Sequence, residues 1–196
     1  MKRLSIYDFD RTIYIGDVSL DFFLFLLRKY PNRSLLLPFQ IFAFALWKFG
    51  VLRIELFKEI FFSLEKSKSV NIHDDIVEFW SKHHGKISEN IKQEIDLDKR
   101  NNLELVCISA SPEFLLSEIT SLLGFNVLLA TKMFNGFIHG YNCKGHEKVH
   151  RLRHHYTAEE FTVVKMTSDS MDDQPLFHIA SQKIMVRNGE IISRDG

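Results

Sequence analysis

Five side chains in this sequence have the types and order of a phosphoryl-transfer site: Asp8, Asp10, Ser109, Lys148 and Asp169. Moving a phosphoryl group onto a carboxylate needs an unprotonated nucleophile, positive charge against the phosphate oxygens, and a proton source for the leaving alcohol. Asp8 can attack. Asp10, two residues on, can protonate the leaving oxygen and then activate water. The Ser109 hydroxyl and the amides after it, beginning at Ala110, can hold phosphate oxygens where a helix starts. Lys148 adds a point charge. Asp169 can join Asp8 around Mg²⁺, which takes a few carboxylates plus water and phosphate oxygen. An isolated Asp-x-Asp pair is usually no more than two acids in a loop. Here the later residues each follow an apolar run or open a helix, where open α/β sheets bind ligands.

The elements that must position these residues follow from apolar periodicity. Leu4 to Phe9 reads as a buried strand with a functional loop at its carboxyl end. Residues 14–99 show helical spacing and few strand signals, and ten of the 18 phenylalanines fall between Phe22 and Phe62. Leu105 to Ile108 reads as a second strand. Ser111 as N-cap and Pro112 at the first helical position then predict a helix through Leu123, ended by Gly124. Val127 to Ala130 is a third strand, and Met133 to Asn142 a hairpin turning at Asn135-Gly136. A helix over His146 to Tyr156, a strand over Phe161 to Met166 and a short helix near Gln174 to Ala180 come next. A strand over Lys183 to Val186 leads to a second hairpin at Asn188-Gly189. This alternation predicts an α/β fold with a Rossmann-like parallel sheet. Residues 1–13 and 100–196 would form the core, and 14–99 an inserted helical cap.

Bulk properties narrow the class. Hydrophobic content of 45% with 26% charge describes a globular chain, free in solution or peripheral to a membrane. Basic and acidic side chains balance at 25 each, which removes the basic surplus that nucleic-acid binding needs. Cys107 and Cys143 stand far apart with no CxxC pairing, as buried thiols in a reducing compartment. Only a few apolar residues separate Met1-Lys2-Arg3 from Asp8, which is no leader pattern. A cytoplasmic location is expected, in solution or at the inner face of the cytoplasmic membrane.

Asp8-Phe9-Asp10-Arg11-Thr12, Ile108-Ser109-Ala110-Ser111-Pro112, Lys148 and Ser168-Asp169-Ser170-Met171-Asp172-Asp173 resemble the four ordered motifs of the haloacid dehalogenase superfamily. The long insertion after the first motif is similar to the helical cap of its phosphoserine-phosphatase-like branch. Closer still, Cys143 to Val149 and Ser168-Asp169-Ser170 resemble the bacterial phosphatidylglycerophosphatase C group, which implies a phospholipid substrate. The resemblance implies Asp8 as nucleophile, Asp10 as general acid/base, and Ser109 and Lys148 as phosphate binders. It implies Mg²⁺ held by Asp8, Asp169 and the Asp10 carbonyl, with Thr12 and Asp173 supporting; Asp173 would orient Lys148 or a metal-bound water. An acid at position 10 separates phosphatases from dehalogenases in this superfamily. Arg11 and Ser168 stand where many members have glycine, and Lys144 competes with Lys148.

Other readings use the same residues. His146-Glu147-Lys148-Val149-His150 matches the zinc-peptidase pattern HExxH, although a charged Lys148 is foreign to it and residues 8, 10, 109 and 169 are left unexplained. His150, His154 and His155 read as a solvated helix face, and Cys107 as a core side chain. Ser34 to Trp47 carries no charge for 14 residues, short of the ~20 that span a bilayer. Arg28, Lys29, Arg33, Lys48 and Arg53 flank it, so it is either a buried cap helix or a segment lying on anionic lipid. The expected activity is hydrolysis of a phosphate monoester, lipid-linked or small and soluble. A non-catalytic docking protein with the same fold is the reading from another class.

Overall fold

The computed structural model describes residues 1–62, 72–157 and 160–195, apart from the Arg33 side chain. The elements, in chain order, are β1 (Lys2–Tyr7), α1 (Val18–Lys29), α2 (Leu37–Lys48), α3 (Ile54–Phe61), α4 (Ile72–His83), α5 (Glu89–Arg100), β2 (Glu104–Pro112), α6 (Glu113–Leu122), β3 (Val127–Thr131), β4 (Met133–Phe134), β5 (Phe137–Ile138), α7 (His146–His155), β6 (Phe161–Ser168), α8 (Gln174–Phe177), β7 (Ala180–Arg187) and β8 (Glu190–Asp195). Six strands form one sheet in the order β3-β2-β1-β6-β7-β8, parallel except for the terminal β7–β8 hairpin. β1 lies between β2 and β6, so the chain leaves its carboxyl end where the sheet order switches direction.

The period-2 alternation of the strands serves two cores. Leu4 and Ile6 of β1 pack with Val106 and Ile108 of β2 on one face. Tyr7 packs with Leu105 and Cys107 on the other. Because both faces are covered, these strands read as nearly continuous apolar runs. Asn188 and Gly189 both take positive φ in the β7–β8 turn. A Cβ at Gly189 would also come within 2.9 Å of the Ile15 side chain, so this turn needs glycine for space as well as for φ.

The structure bears on three sequence expectations. First, Ser111 does not cap the helix after β2: the strand continues through Pro112, and α6 begins at Glu113 with no side-chain cap. Second, α5 falls within the expected cap but lies on the sheet, where its Asp98 accepts from Ser5 Oγ (2.6 Å), Tyr7 Oη (2.6 Å) and Lys165 Nζ (2.6 Å). α5 thus packs on the sheet although it falls within the stretch expected as cap. Third, Ser34–Trp47 is not a buried helix. Leu35, Phe39, Ile41 and Phe42 are 79, 71, 64 and 64% exposed, while only Gln40 and Ala43 of α2 are buried.

α2 is held by one edge. Trp47 stacks on Phe57 of α3 at 5.0 Å, and Gln40 Nε2 donates to the Phe61 carbonyl at 3.2 Å. α1 and α4 meet through Phe22, Phe25 and Phe79, and Trp80 Nε1 donates to the Leu115 carbonyl of α6 at 2.9 Å. No helix among the described residues is long and apolar enough to cross a membrane.

Candidate active site

Asp8 follows β1 directly, and its N–H donates to the Thr167 carbonyl of β6 at 2.9 Å. The next residues turn back: Arg11 N–H reaches the Gly16 carbonyl at 2.9 Å, with Arg11 itself left-handed at φ 56°. That conformation favours glycine and costs an L-residue about 1–2 kcal/mol, which accounts for the glycine common at this position in the resembling family.

The turn brings the end of β1 to the ends of β2 and β6. Lys148, buried on α7, donates to Asp8 Oδ1 at 2.7 Å and to Asp173 Oδ2 at 2.8 Å. Asp173 also accepts from Ser168 Oγ at 2.6 Å. The Asp169 N–H donates to Thr12 Oγ1 at 2.9 Å, tying the loop after β6 to the loop after β1. Lys144 is exposed and pairs with Asp172 at 2.9 Å instead. Of the two candidate lysines, Lys148 is the one at Asp8.

Asp10 occupies the other side of the cleft. Its Oδ1 accepts from the Val18 N–H at 2.7 Å, and its Oδ2 from Ser111 Oγ at 2.6 Å. Ser109 is fully buried, and its hydroxyl oxygen accepts from the Ser111 N–H at 3.0 Å. Ala110 lines the cleft, which has a volume of ≈ 220 Å³, together with Asp8, Asp10, Asp169 and Lys148. Larger hollows elsewhere, such as the one beside Arg3 and Asn101, share none of these residues. The site is thus a small polar cleft at the strand ends.

Burial pushes the Asp8 carboxyl up to about 7, against the pull of Lys148 and with the help of Asp173. It pushes Asp10 up to about 6, helped by Asp17 and opposed by Ser111. Burial also raises Asp169, with Arg11 opposing. Burial alone would lower Lys148, but Asp8 and Asp173 hold its ammonium above the usual lysine range. Three carboxyls raised around one cleft describe a site short of positive charge, and their hard oxygens suit Mg²⁺. Among the described residues, no three His, Cys, Asp or Glu side chains gather to hold a metal ion by themselves. His146 and His150 are both exposed, and Glu147 is engaged by Arg151 at 2.9 Å.

Two participants carried no sequence signal. Asp17 caps α1 and lines the cleft. Lys58 comes from α3, and its ammonium donates at 2.6 Å to both the Ala110 carbonyl and Asn142 Oδ1. No motif marks either residue.

A largely parallel sheet with acids from the ends of β1 and β6 around a small polar cleft defines an α/β protein with a ligand site where the strand order switches direction. The family pattern of haloacid dehalogenase-like hydrolases matches residues 6–178, and the chain belongs to that family. No curated protein sequence matches it. A Bordetella pertussis Tohama I protein of unknown function superposes with TM-score 0.82 at 18% identity, covering 94% of this chain and 90% of that one. A substrate-bound phosphoserine phosphatase superposes with TM-score 0.64 at 16% identity, covering 94% and 86%. A phosphoserine phosphohydrolase-like protein from Francisella tularensis gives 0.59 at 18%, covering 94% and 87%. At these identities the likeness is one of fold.

Proposed function

We propose that this protein is a Mg²⁺-dependent phosphate monoester hydrolase that works through a phosphoaspartate on Asp8. The observation that carries the reading is the Asp8–Lys148–Asp173 chain beside a separately held Asp10 in one cleft. Asp8 attacks phosphorus while the ester P–O bond breaks, and Asp10 passes its proton to the leaving alkoxide. Burial keeps Asp10 protonated to a higher pH than usual, which suits an acid. Asp10 then takes a proton from the water that attacks the phosphoaspartate, releasing phosphate and restoring Asp8. Lys148, the Ser109 hydroxyl and the Ala110 amide would neutralise and hold the phosphate oxygens. Asp8, Asp169 and the Asp10 carbonyl would hold Mg²⁺, which when bound supplies charge against the transferring group.

The preferred substrate is a lipid-linked phosphate, such as phosphatidylglycerophosphate, met at the inner face of the cytoplasmic membrane. The exposed apolar face of α2 on the helices of the proposed cap, residues 18–86, supports this. A small soluble monoester is the alternative, favoured by the fold of the phosphoserine phosphatase. A panel of lipid and soluble phosphates plus an aryl phosphate, assayed with and without detergent, tests both. We expect Mg²⁺-dependent phosphate release, lost roughly a thousandfold or more in Asp8→Asn. A wild type inactive across the panel would sink the hydrolase reading; preference for a soluble monoester would sink only the lipid.

A further inference from the structure

Lys58 is a charged side chain delivered by α3, a helix outside the sheet, to Ala110 in the lining of the cleft. The half-buried side chain places its ammonium against two acceptors, the Ala110 carbonyl and Asn142 Oδ1. The Ala110 carbonyl also receives Thr131 Oγ1 at 2.7 Å, so two donors fix it. In a trans peptide the N–H points opposite to the C=O. The N–H of that same peptide belongs to Ser111, and it donates to Ser109 Oγ at 3.0 Å. With its oxygen accepting there, the Ser109 hydroxyl keeps its proton for another acceptor.

We propose that Lys58 is a positioning residue that sets the Ala110–Ser111 peptide plane, and through it the Ser109 hydroxyl, for holding phosphate; this rests on the phosphatase reading above. An ammonium donor grips a carbonyl more strongly than a neutral one. Other links from α3 serve a different purpose. Glu59 Oε1 accepts the Ile138 N–H at 3.0 Å and Glu55 Oε1 the Asn142 N–H at 3.3 Å. These hold α3 to the 138–142 segment without touching the Ser109–Ser111 peptides.

That contrast supplies the test. Wild type, Lys58→Met, Thr131→Val and Glu59→Gln are compared for aryl phosphate hydrolysis with Mg²⁺, for inhibition by inorganic phosphate, and for thermal stability. Lys58→Met should raise the inhibition constant for phosphate roughly tenfold, the loss expected for about one charge-assisted hydrogen bond. Thr131→Val, which removes the second donor from the same carbonyl, should raise it less and keeps the test open if Lys58→Met does not fold. Glu59→Gln should leave it unchanged. An unchanged phosphate constant in a folded Lys58→Met, or an equal rise in Glu59→Gln, would overturn the positioning role. So would a raised KM for the ester with normal phosphate inhibition, which would place Lys58 on the leaving group. A wild type that neither hydrolyses the ester nor binds phosphate would remove the phosphatase reading and this role together, an outcome distinct from the others.

Discussion

On the proposed mechanism Asp8 carries two conflicting demands. It must be ionised to attack, yet burial raises its carboxyl to about 7 from the usual 3.8. A carboxyl raised by folding binds its proton more tightly in the native than in the unfolded chain. Stability is therefore lost as pH rises from the unfolded value through about 7, and Asp10, raised to about 6, adds to the slope. Mg²⁺ held by the ionised carboxylates, as proposed above, should reverse this loss. We expect millimolar Mg²⁺ to raise the melting temperature by several degrees near pH 8 and much less near about pH 5. Thermal melts at the two pH values check it. An equal shift at both, or a shift retained in Asp169→Asn, would mean that the ion binds elsewhere. At this scale order and spacing pick out Asp8, Asp10, Lys148 and Asp169 in the sequence, and the fold brings these four to one cleft. Lys58 and Asp17 are not among them, because a lone lysine on a helix or an aspartate at a helix N-cap has no spacing that separates it from a residue serving only the helix.

Among the elements, α5 shows how far packing can depart from pattern. Its sequence, Glu89 to Arg100, is mostly charged and falls within the helical stretch expected as cap. Yet Asp98 and Lys165 are both nearly buried, and Glu94 bridges Lys165 to Arg194. These partners lie 67 to 100 residues apart in the chain, so no local pattern could show them. Conversely, strands whose both faces are buried announce themselves as apolar runs, and β1, β2, β3 and β6 were legible within a few residues. The early start predicted for α6 failed because Ser111 serves Asp10 rather than a helix end. Removing the buried cation should test the α5 network: Lys165→Met leaves Asp98 and Glu94 short of a partner and should cost about 3–5 kcal/mol. Urea unfolding measures that loss. Phosphatase turnover per folded molecule should stay within about twofold, because the network lies away from the cleft; a selective loss of turnover would tie α5 to the chemistry.

For the whole molecule, the unequal distribution of apolar surface is the feature left to explain. Phe39, Ile41 and Phe42 stand in water on α2, and Phe49 and Val51 just beyond it are 83 and 70% exposed. Lys48 lies over the Trp47 ring at 5.0 Å, leaving its charge beside the patch. Single exposed apolar residues are ordinary, but a contiguous set on one helix marks an interaction face. A helix lying on a bilayer would bury these rings while the adjacent basic residues meet anionic head groups. The double variant Phe39→Asp/Phe42→Asp separates this use from a role in the fold. Both side chains are exposed, so unfolding free energy should move by no more than about 1 kcal/mol. Flotation with anionic vesicles should weaken at least about a hundredfold, since each buried phenylalanine contributes about 1.5 kcal/mol or more. Hydrolysis of a soluble aryl phosphate should be unchanged, while a lipid phosphate presented in vesicles should turn over far more slowly. Flotation equal to wild type would remove the membrane from the account of α2, and a large loss of stability would show that the two rings serve the fold instead.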